Sequence, residues 1–153
     1  MTENLKVLAT NRKAYHDYFV EETYEAGVVL TGTEIKSVRV GSLNLRDSYA
    51  QVRGGELWLM NVHIAPYEPA SRENANPYRD RKLLMHRKEI LRLAGRAQEK
   101  GLTIVPLRAY LKKNRAKIEI GLARGKKLYD KRDSIAKRDS DREVRRVVKE
   151  QGR

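Results

Sequence analysis

The chain has 153 residues, enough for one domain with a real hydrophobic core and too few for two of comfortable size. Lys and Arg outnumber Asp and Glu by 33 to 20, a formal charge of +13 with a pI near 10.1, so polyanions are the expected partners, nucleic acid first and an anionic membrane surface second. The absence of cysteine excludes disulfides, thiolate nucleophiles and cysteine-based zinc sites. MTENLKVLAT lacks an apolar leader core and no apolar run approaches the roughly 20 residues that span a bilayer, so a cytoplasmic protein is expected rather than an exported or integral one.

Residues Met1 to about Asn11 read as a loose arm. The following YHDYFVEETYEAGVVL is rich in aromatic and β-branched residues and predicts a long strand, with Gly27 marking a bend of the kind that curves a strand around a small barrel. In TGTEIKSVRVG, Thr31 and Glu34 have capping-box spacing, Ile35 and Val38 share a helical face, and Gly41 is placed to terminate a short helix. SYAQVRGGELWLMNVHI is the clearest hairpin, because Gly54-Gly55 accepts the positive φ angles of a tight primed turn.

The stretch APYEPASRENANPYRDRKLL reads as a basic loop: Pro66, Pro69 and Pro77 oppose a helix, and Arg72, Arg79, Arg81 and Lys82 supply charge. Across HRKEILRLAGRAQEK, Ile90, Leu93, Ala94 and Ala97 share a helical face and Gly101 ends the element. In LTIVPLRAYLKKNRAKIEIGLARG, Val105, Leu107, Ala109 and Leu111 alternate on one strand and Ile118, Ile120 and Leu122 on the next, with a turn at Lys112 to Arg115. About five or six antiparallel strands with two or three short helices make the fold mainly β and suit a compact barrel of the oligonucleotide-binding (OB) type. A half-open sandwich is the alternative.

The end of the chain is different in kind. From Arg124 onward twelve Lys or Arg and six Asp or Glu accompany large apolar residues only at Leu128, Ile135, Val144, Val147 and Val148. That is too little apolar surface to offset an ordering cost of about 1–2 kcal/mol per residue, so the free tail is expected to be disordered. Ser140 and Glu143 nonetheless have capping-box spacing, and Val144, Val147 and Val148 follow at helical intervals. Composition leaves two readings, a solvated end and an arm that folds on a partner. The division expected is a barrel over 1–124 and a basic tail over 125–153.

Catalysis finds little support. His16, His63 and His86 form no local motif: His86 stands where a helix cap is expected, with Glu89 three residues on, and His63 ends an apolar strand. There is no HExxH, GxSxG or phosphate-cradling glycine loop, so no catalytic residue, metal site or cofactor is expected. Eight tyrosines, one tryptophan and one phenylalanine interleaved with basic residues favour binding of unpaired bases and phosphates, and RNA over other polyanions.

Read in order, NRKAYHDYFVEETYEAGVVLTGTEIKSVRVG, RKLLMHRKEI and AKIEIGLARGKKLYDKRD resemble the small protein B family, the bacterial SsrA-binding proteins, over nearly the whole chain from Asn11. The resemblance implies an OB-like barrel with flanking helices and an RNA-binding adaptor without chemistry of its own. Such an adaptor binds the tRNA-like domain of transfer-messenger RNA (tmRNA) and, with elongation factor Tu, accompanies it to the A site of a stalled ribosome for trans-translation. A resident ribosomal protein or a ribonuclease are the alternatives, and a monomer is expected.

Carried over by position, the resemblance implies RNA contacts at Glu25, Leu84 and Lys117, with Asn11, Arg12, His16 and Tyr18 as neighbours on the same surface. Lys117 is a plain phosphate ligand, whereas Glu25 accepts hydrogen bonds from base donors or orients a lysine. Leu84, which the apolar pattern alone assigns to the core, is implied to pack on an unpaired base. Gly125, Lys126, Lys127, Tyr129, Asp130, Lys131 and Arg132 match the segment that the family places in the small-subunit decoding centre, Tyr129 standing where some relatives carry His. If residues Ser134 to Gln151 became helical in an empty messenger RNA channel they would extend about 27 Å.

Overall fold

The computed structural model describes residues 5–67, 76–99 and 101–126. Pro69, Arg72 and the tail residues Lys127, Tyr129, Asp130, Lys131 and Arg132 lie outside them. Among the described residues the order is β1 (Leu5–Thr10), α1 (Arg12–Asp17), β2 (Tyr18–Val28), α2 (Gly32–Arg39), β3 (Leu43–Asn44), β4 (Tyr49–Arg53), β5 (Glu56–Met60), β6 (His63–Ile64), β7 (Arg81–Leu84), α3 (Arg87–Arg96), β8 (Leu102–Lys112) and β9 (Arg115–Gly125).

The main sheet runs β1-β8-β4-β5-β7-β2-β9 and is wholly antiparallel; β9 pairs back onto β8, so β8-β4-β5-β7-β2-β9 closes as a six-stranded barrel. Closure leaves the long strands without free edges. The expected strand count and OB-like barrel hold, with β1 added beside β8 and β3–β6 as a separate two-stranded ribbon.

The barrel interior is filled by Ala26, Leu57, Leu59, Leu83, Ile104, Ala109, Ile118, Ile120 and Leu122, with Val38 from α2 and Ile90 and Leu93 from α3 in the same cluster. A second, smaller cluster lies where α1 crosses the sheet: Ala14 packs with Val105, Leu107 and Ala123, flanked by Tyr18 and Val20. Residues of β8 and β9 are therefore buried on both faces near α1, which explains their nearly continuous apolar sequence.

Several local expectations hold in detail. Thr31 Oγ1 accepts the Glu34 N–H at 3.2 Å while Glu34 Oε1 accepts the Thr31 N–H at 3.0 Å, a reciprocal box that starts α2. Gly54 and Gly55 have φ of 63° and 79°, and the second hairpin turns at Lys113 and Asn114 with φ of 52° and 68°. Gly41 and Gly101 take positive φ beyond α2 and α3.

Three expectations fail, the simplest being that Arg81–Leu84, read as the end of the basic loop, forms strand β7 between β5 and β2. The arm read as loose contains β1, whose partner is β8, with Lys6 opposite Leu111, a pairing about a hundred residues away that local pattern cannot display. The strand read from Tyr15 begins only at Tyr18, because Asn11 Oδ1 accepts the Ala14 N–H at 3.2 Å and starts α1. Tertiary packing of Ala14 overrides the aromatic strand propensity there.

The basic loop also has a structural use that its sequence conceals. Arg81 is wholly buried, and its guanidinium donates to Glu34 Oε2 at 2.7 and 3.0 Å and to the Val62 carbonyl at 2.6 Å. Arg79 donates to the same carboxylate at 2.5 and 3.2 Å. Burial pushes the Glu34 carboxyl up, but Arg79, the Thr31 N–H and Arg81 outweigh it and leave the group below its ordinary range. The pair joins α2 to β7.

Candidate nucleic-acid interface

Strand β2 brings three of the expected RNA-contact residues together. Gly27 stands opposite Leu84 on β7 and opposite Lys117 on β9, and Glu25, two residues back along β2, stands opposite Glu119. Leu83 is buried, whereas Leu84 is 51% exposed and turned outward, so its place is on the surface and not in the core that the apolar pattern assigned to it. Period-two alternation within a short strand inverts the two leucines. A Cβ at Gly27 would lie in ordinary contact, 3.5 Å from Leu84 Cβ, so the two strands meet closely here without excluding a small side chain.

Beside the junction is an open groove of ≈ 300 Å³. Val28, Ile35, Val38 and Ala116 give it apolar walls, and Arg39, Arg115 and Lys117 line it as well. Asn114, at the β8–β9 turn, accepts from Arg39 Nη2 through its carbonyl at 3.3 Å and fixes the arginine on the rim. An apolar groove with cations at its margin accommodates a base while its phosphates meet the charges.

Glu25 is held in place from β8. The Tyr110 hydroxyl donates to Glu25 Oε2 at 2.6 Å, and Lys112 Nζ lies 3.3 Å from the same oxygen. The Tyr110 bond, followed by Lys112 and Lys117, keeps the carboxyl below its ordinary range despite partial burial. Burial and the neighbouring carboxylate in turn hold the Tyr110 phenol protonated well above its usual range. The result is an aimed, ionised acceptor among cations. The sequence reading places Lys112 and Arg115 at a turn and marks neither of them, nor Tyr110 or Arg39, as a contact; the period-two spacing of Tyr110 and Lys112 on β8 is the one available signal.

The entry-motif residues divide. Asn11 is 4% exposed, and its side chain donates to the Pro106 carbonyl at 2.8 Å and the Leu45 carbonyl at 3.2 Å, while its own N–H reaches the Leu107 carbonyl. These bonds sit at the irregularity between Pro106 and Arg108 in β8, so Asn11 fastens α1 to a bulge. Tyr18 is half-buried against the small cluster under α1. Arg12 and His16 are exposed, the His16 Nδ1 lying 3.0 Å from Asp17 Oδ1.

Their surface adjoins the groove through a cross-strand row. Arg108 donates to Glu119 at 2.8 Å, Glu119 stands opposite Glu25, and burial and then the Glu119 carboxylate raise the Tyr15 phenol above its ordinary range. Gly125, which ends β9 opposite Tyr18, and Lys126 lie beside the same helix. Lys126 Nζ sits 4.9 Å from the centroid of Phe19, itself 52% exposed, and 3.5 Å from the Tyr15 carbonyl. The root of the basic tail therefore starts from the α1 side of the barrel.

Among the described residues no group of three or more His, Cys, Asp or Glu could hold a metal ion, and no helix is long and apolar enough to cross a membrane.

The family model described as SmpB protein matches residues 8–150. An SsrA-binding protein of Carboxydothermus hydrogenoformans is 60% identical over 144 residues, covering 94% of this chain and 97% of its own. One from Caldicellulosiruptor saccharolyticus is 58% identical over 148 residues, covering 97% and 94%. A solved chain reported under "tmRNA-SmpB: a journey to the center of the bacterial ribosome" is 51% identical and superposes with a TM-score of 0.67, covering 77% of this chain and 83% of that one. With the barrel, the groove and a match that spans nearly its whole length, the chain belongs to the SmpB family.

Proposed function

We propose that the chain is an RNA-binding adaptor for tmRNA, which it delivers to the A site of stalled ribosomes for trans-translation. The observation that carries this reading is the junction at Gly27, where Glu25, Leu84 and Lys117 converge beside a groove with apolar walls and three cations. The likeness to proteins named for SsrA binding supports the choice of RNA. Lys117, Arg39 and Arg115 take phosphates, Leu84 packs on an unpaired base, and Glu25 accepts from base amino or imino donors.

Arg12, His16 and Tyr18 extend the surface, while Asn11 acts through the position of α1. The segment from Gly125 and Lys126 through Lys127, Tyr129, Asp130, Lys131 and Arg132 enters the decoding centre, and the remainder of the tail occupies the messenger channel when it is empty. Because messenger RNA fills the same space in a translating ribosome, such a tail discriminates stalled from active ones. In this reading the protein works in the cytoplasm as a monomer, alongside elongation factor Tu, and catalyses nothing itself. Sequencing the RNA that co-purifies with the full chain tests the reading: tmRNA enriched over ribosomal RNA supports it, and ribosomal RNA at constant stoichiometry with all ribosomes favours a resident ribosomal protein.

A further inference from the structure

A second hollow, of ≈ 420 Å³, is lined by Asn44, Arg46, Asp47, Asn61, His63 and Tyr78 and shares no residue with the groove at Gly27. It lies at the β3–β6 ribbon, where Asn44 stands opposite His63. The turn bearing Tyr78 is tied to that ribbon by the Ile64 N–H on the Pro77 carbonyl at 3.0 Å, and Asn76 Oδ1 accepts the Tyr78 N–H at 2.8 Å. The His63 and Tyr78 rings meet with centroids 5.0 Å apart, and Tyr78 remains 54% exposed. Asp47 and Asn61 both take positive φ, and Asn61 Nδ2 donates to the Asp47 carbonyl at 3.0 Å, which locks the two loops together.

The hollow has hydrogen-bonding capacity that the protein leaves unspent. Among the described residues neither the Tyr78 hydroxyl, the His63 nitrogens, the Asn61 Oδ1 nor the Asn44 Nδ2 has a hydrogen-bond partner. The Arg46 guanidinium is 67% exposed and among the described residues approaches only Asp47, at 3.9 Å, while Asp47 is already engaged by Lys13 at 2.6 Å. Two cations against one carboxylate leave the site positive.

We infer that this hollow is a second RNA contact that takes one unpaired nucleotide, its base on the Tyr78 ring with an edge read by Asn44, Asn61 and His63, and its phosphate on Arg46. With Asn44 Oδ1 accepting the Arg46 N–H at 2.8 Å and Asn61 Nδ2 given to Asp47, Asn44 offers a donor and Asn61 an acceptor to a base edge, and an unstacked base exposes both edge and face to such a site. The nucleotide could come from tmRNA or from ribosomal RNA, which share this chemistry.

The test is photocrosslinking of the full chain to a single-stranded RNA decamer carrying 4-thiouridine, with intact tmRNA and small ribosomal subunits, thiouridine-labelled in the same way, as parallel arms. Adducts should map to Tyr78 or His63 by peptide mass spectrometry, and the large RNA that yields them is the source. Tyr78→Ala should weaken decamer binding about 5- to 150-fold, while Tyr78→Phe retains most of it. Arg46→Gln, at an exposed position, should lower the salt slope by roughly 0.7. Adducts confined to the Leu84–Lys117 groove in all three arms would overturn the inference, as would wild-type decamer affinity in both Tyr78→Ala and Arg46→Gln. Because the decamer arm needs no tmRNA, failure here is distinct from failure of the proposed function.

Discussion

Tyr110 donates its hydroxyl to Glu25 at 2.6 Å from β8 to β2 across the intervening β9, and this bond is the largest influence keeping the Glu25 carboxyl below its ordinary range. In the proposed function the Glu25 carboxylate is useful only if it is ionised and held off the phosphates, and the Tyr110 bond favours both conditions. A group whose folded pKa is depressed contributes stability above its unfolded pKa and loses it as pH falls through the folded value. Tyr110→Phe should therefore move Glu25 protonation to higher pH, visible as a higher midpoint in the carboxyl NMR titration curve, and weaken tmRNA binding several-fold. Superimposable titration curves in parent and variant would refute this role for the tyrosine.

Helix α3 is fastened to β2 by a carboxylate that stays ionised to low pH. Arg92 donates to Glu22 at 2.8 Å and Arg96 at 2.6 Å, and the Arg92 bond is the main reason the Glu22 carboxyl falls to about 2. The stabilisation should be fully present above the ordinary glutamate range near 4.5 and should disappear as pH drops toward 2. Glu22→Gln should lower the melting temperature at pH 7 and shrink that difference at pH 2; a difference independent of pH would contradict the assignment.

The buried Arg81–Glu34 pair should be intolerant of losing one partner. Arg81→Ala takes two of the hydrogen bonds from the Glu34 carboxylate, which is 4% exposed and keeps only Arg79 and the Thr31 N–H, and it frees the Val62 carbonyl inside the barrel. The expected loss is about 3–5 kcal/mol in urea unfolding. A loss under roughly 1 kcal/mol, the scale of surface pairs, would show that water reaches the site.

Gly121 is required by its neighbour. A Cβ there would come 2.8 Å from Leu107 Cδ1, and Leu107 is buried at the bulge that Asn11 holds. Gly121→Ala should cost about 1–3 kcal/mol as an overpacked core substitution. Adding Leu107→Val should return part of it if the clash is the cause; additive losses in the double variant would not fit.

How legible all this is in the sequence depends on range. The α2 capping box and both hairpins are local, and Thr31 with Glu34, Gly54 with Gly55, and the alternation through β8 and β9 display them directly. Strand β1 and helix α1 are decided by distant partners, Tyr110 opposite Val7 and Leu107 under Asn11, which no local window contains. The site divides in the same way. Glu25, Leu84 and Lys117 entered through motif resemblance, and only the fold shows that Gly27 gathers Leu84 and Lys117 from two other strands. Arg79 and Arg81 look like RNA-binding charge in sequence, yet both are drawn to Glu34, because a basic residue's partner is chosen in three dimensions.

The barrel and the tail should separate functionally. A chain ending at Gly125 retains β9 to its last residue and the whole groove. If the tail's charges act on the ribosome and not on the groove, as proposed, it should bind tmRNA within about twofold of the full chain and support no peptide tagging in a reconstituted translation system. Equal loss of both activities would remove the two-site reading.

The central claim is that Lys117 meets an RNA phosphate at the groove, and the salt dependence of tmRNA affinity measures it most directly. With the dissociation constant followed from roughly 50 to 200 mM KCl, Lys117→Ala should bind more weakly at every salt concentration and with a log–log slope shallower by about 0.7–0.9 than the parent. Parallel lines of equal affinity would contradict it.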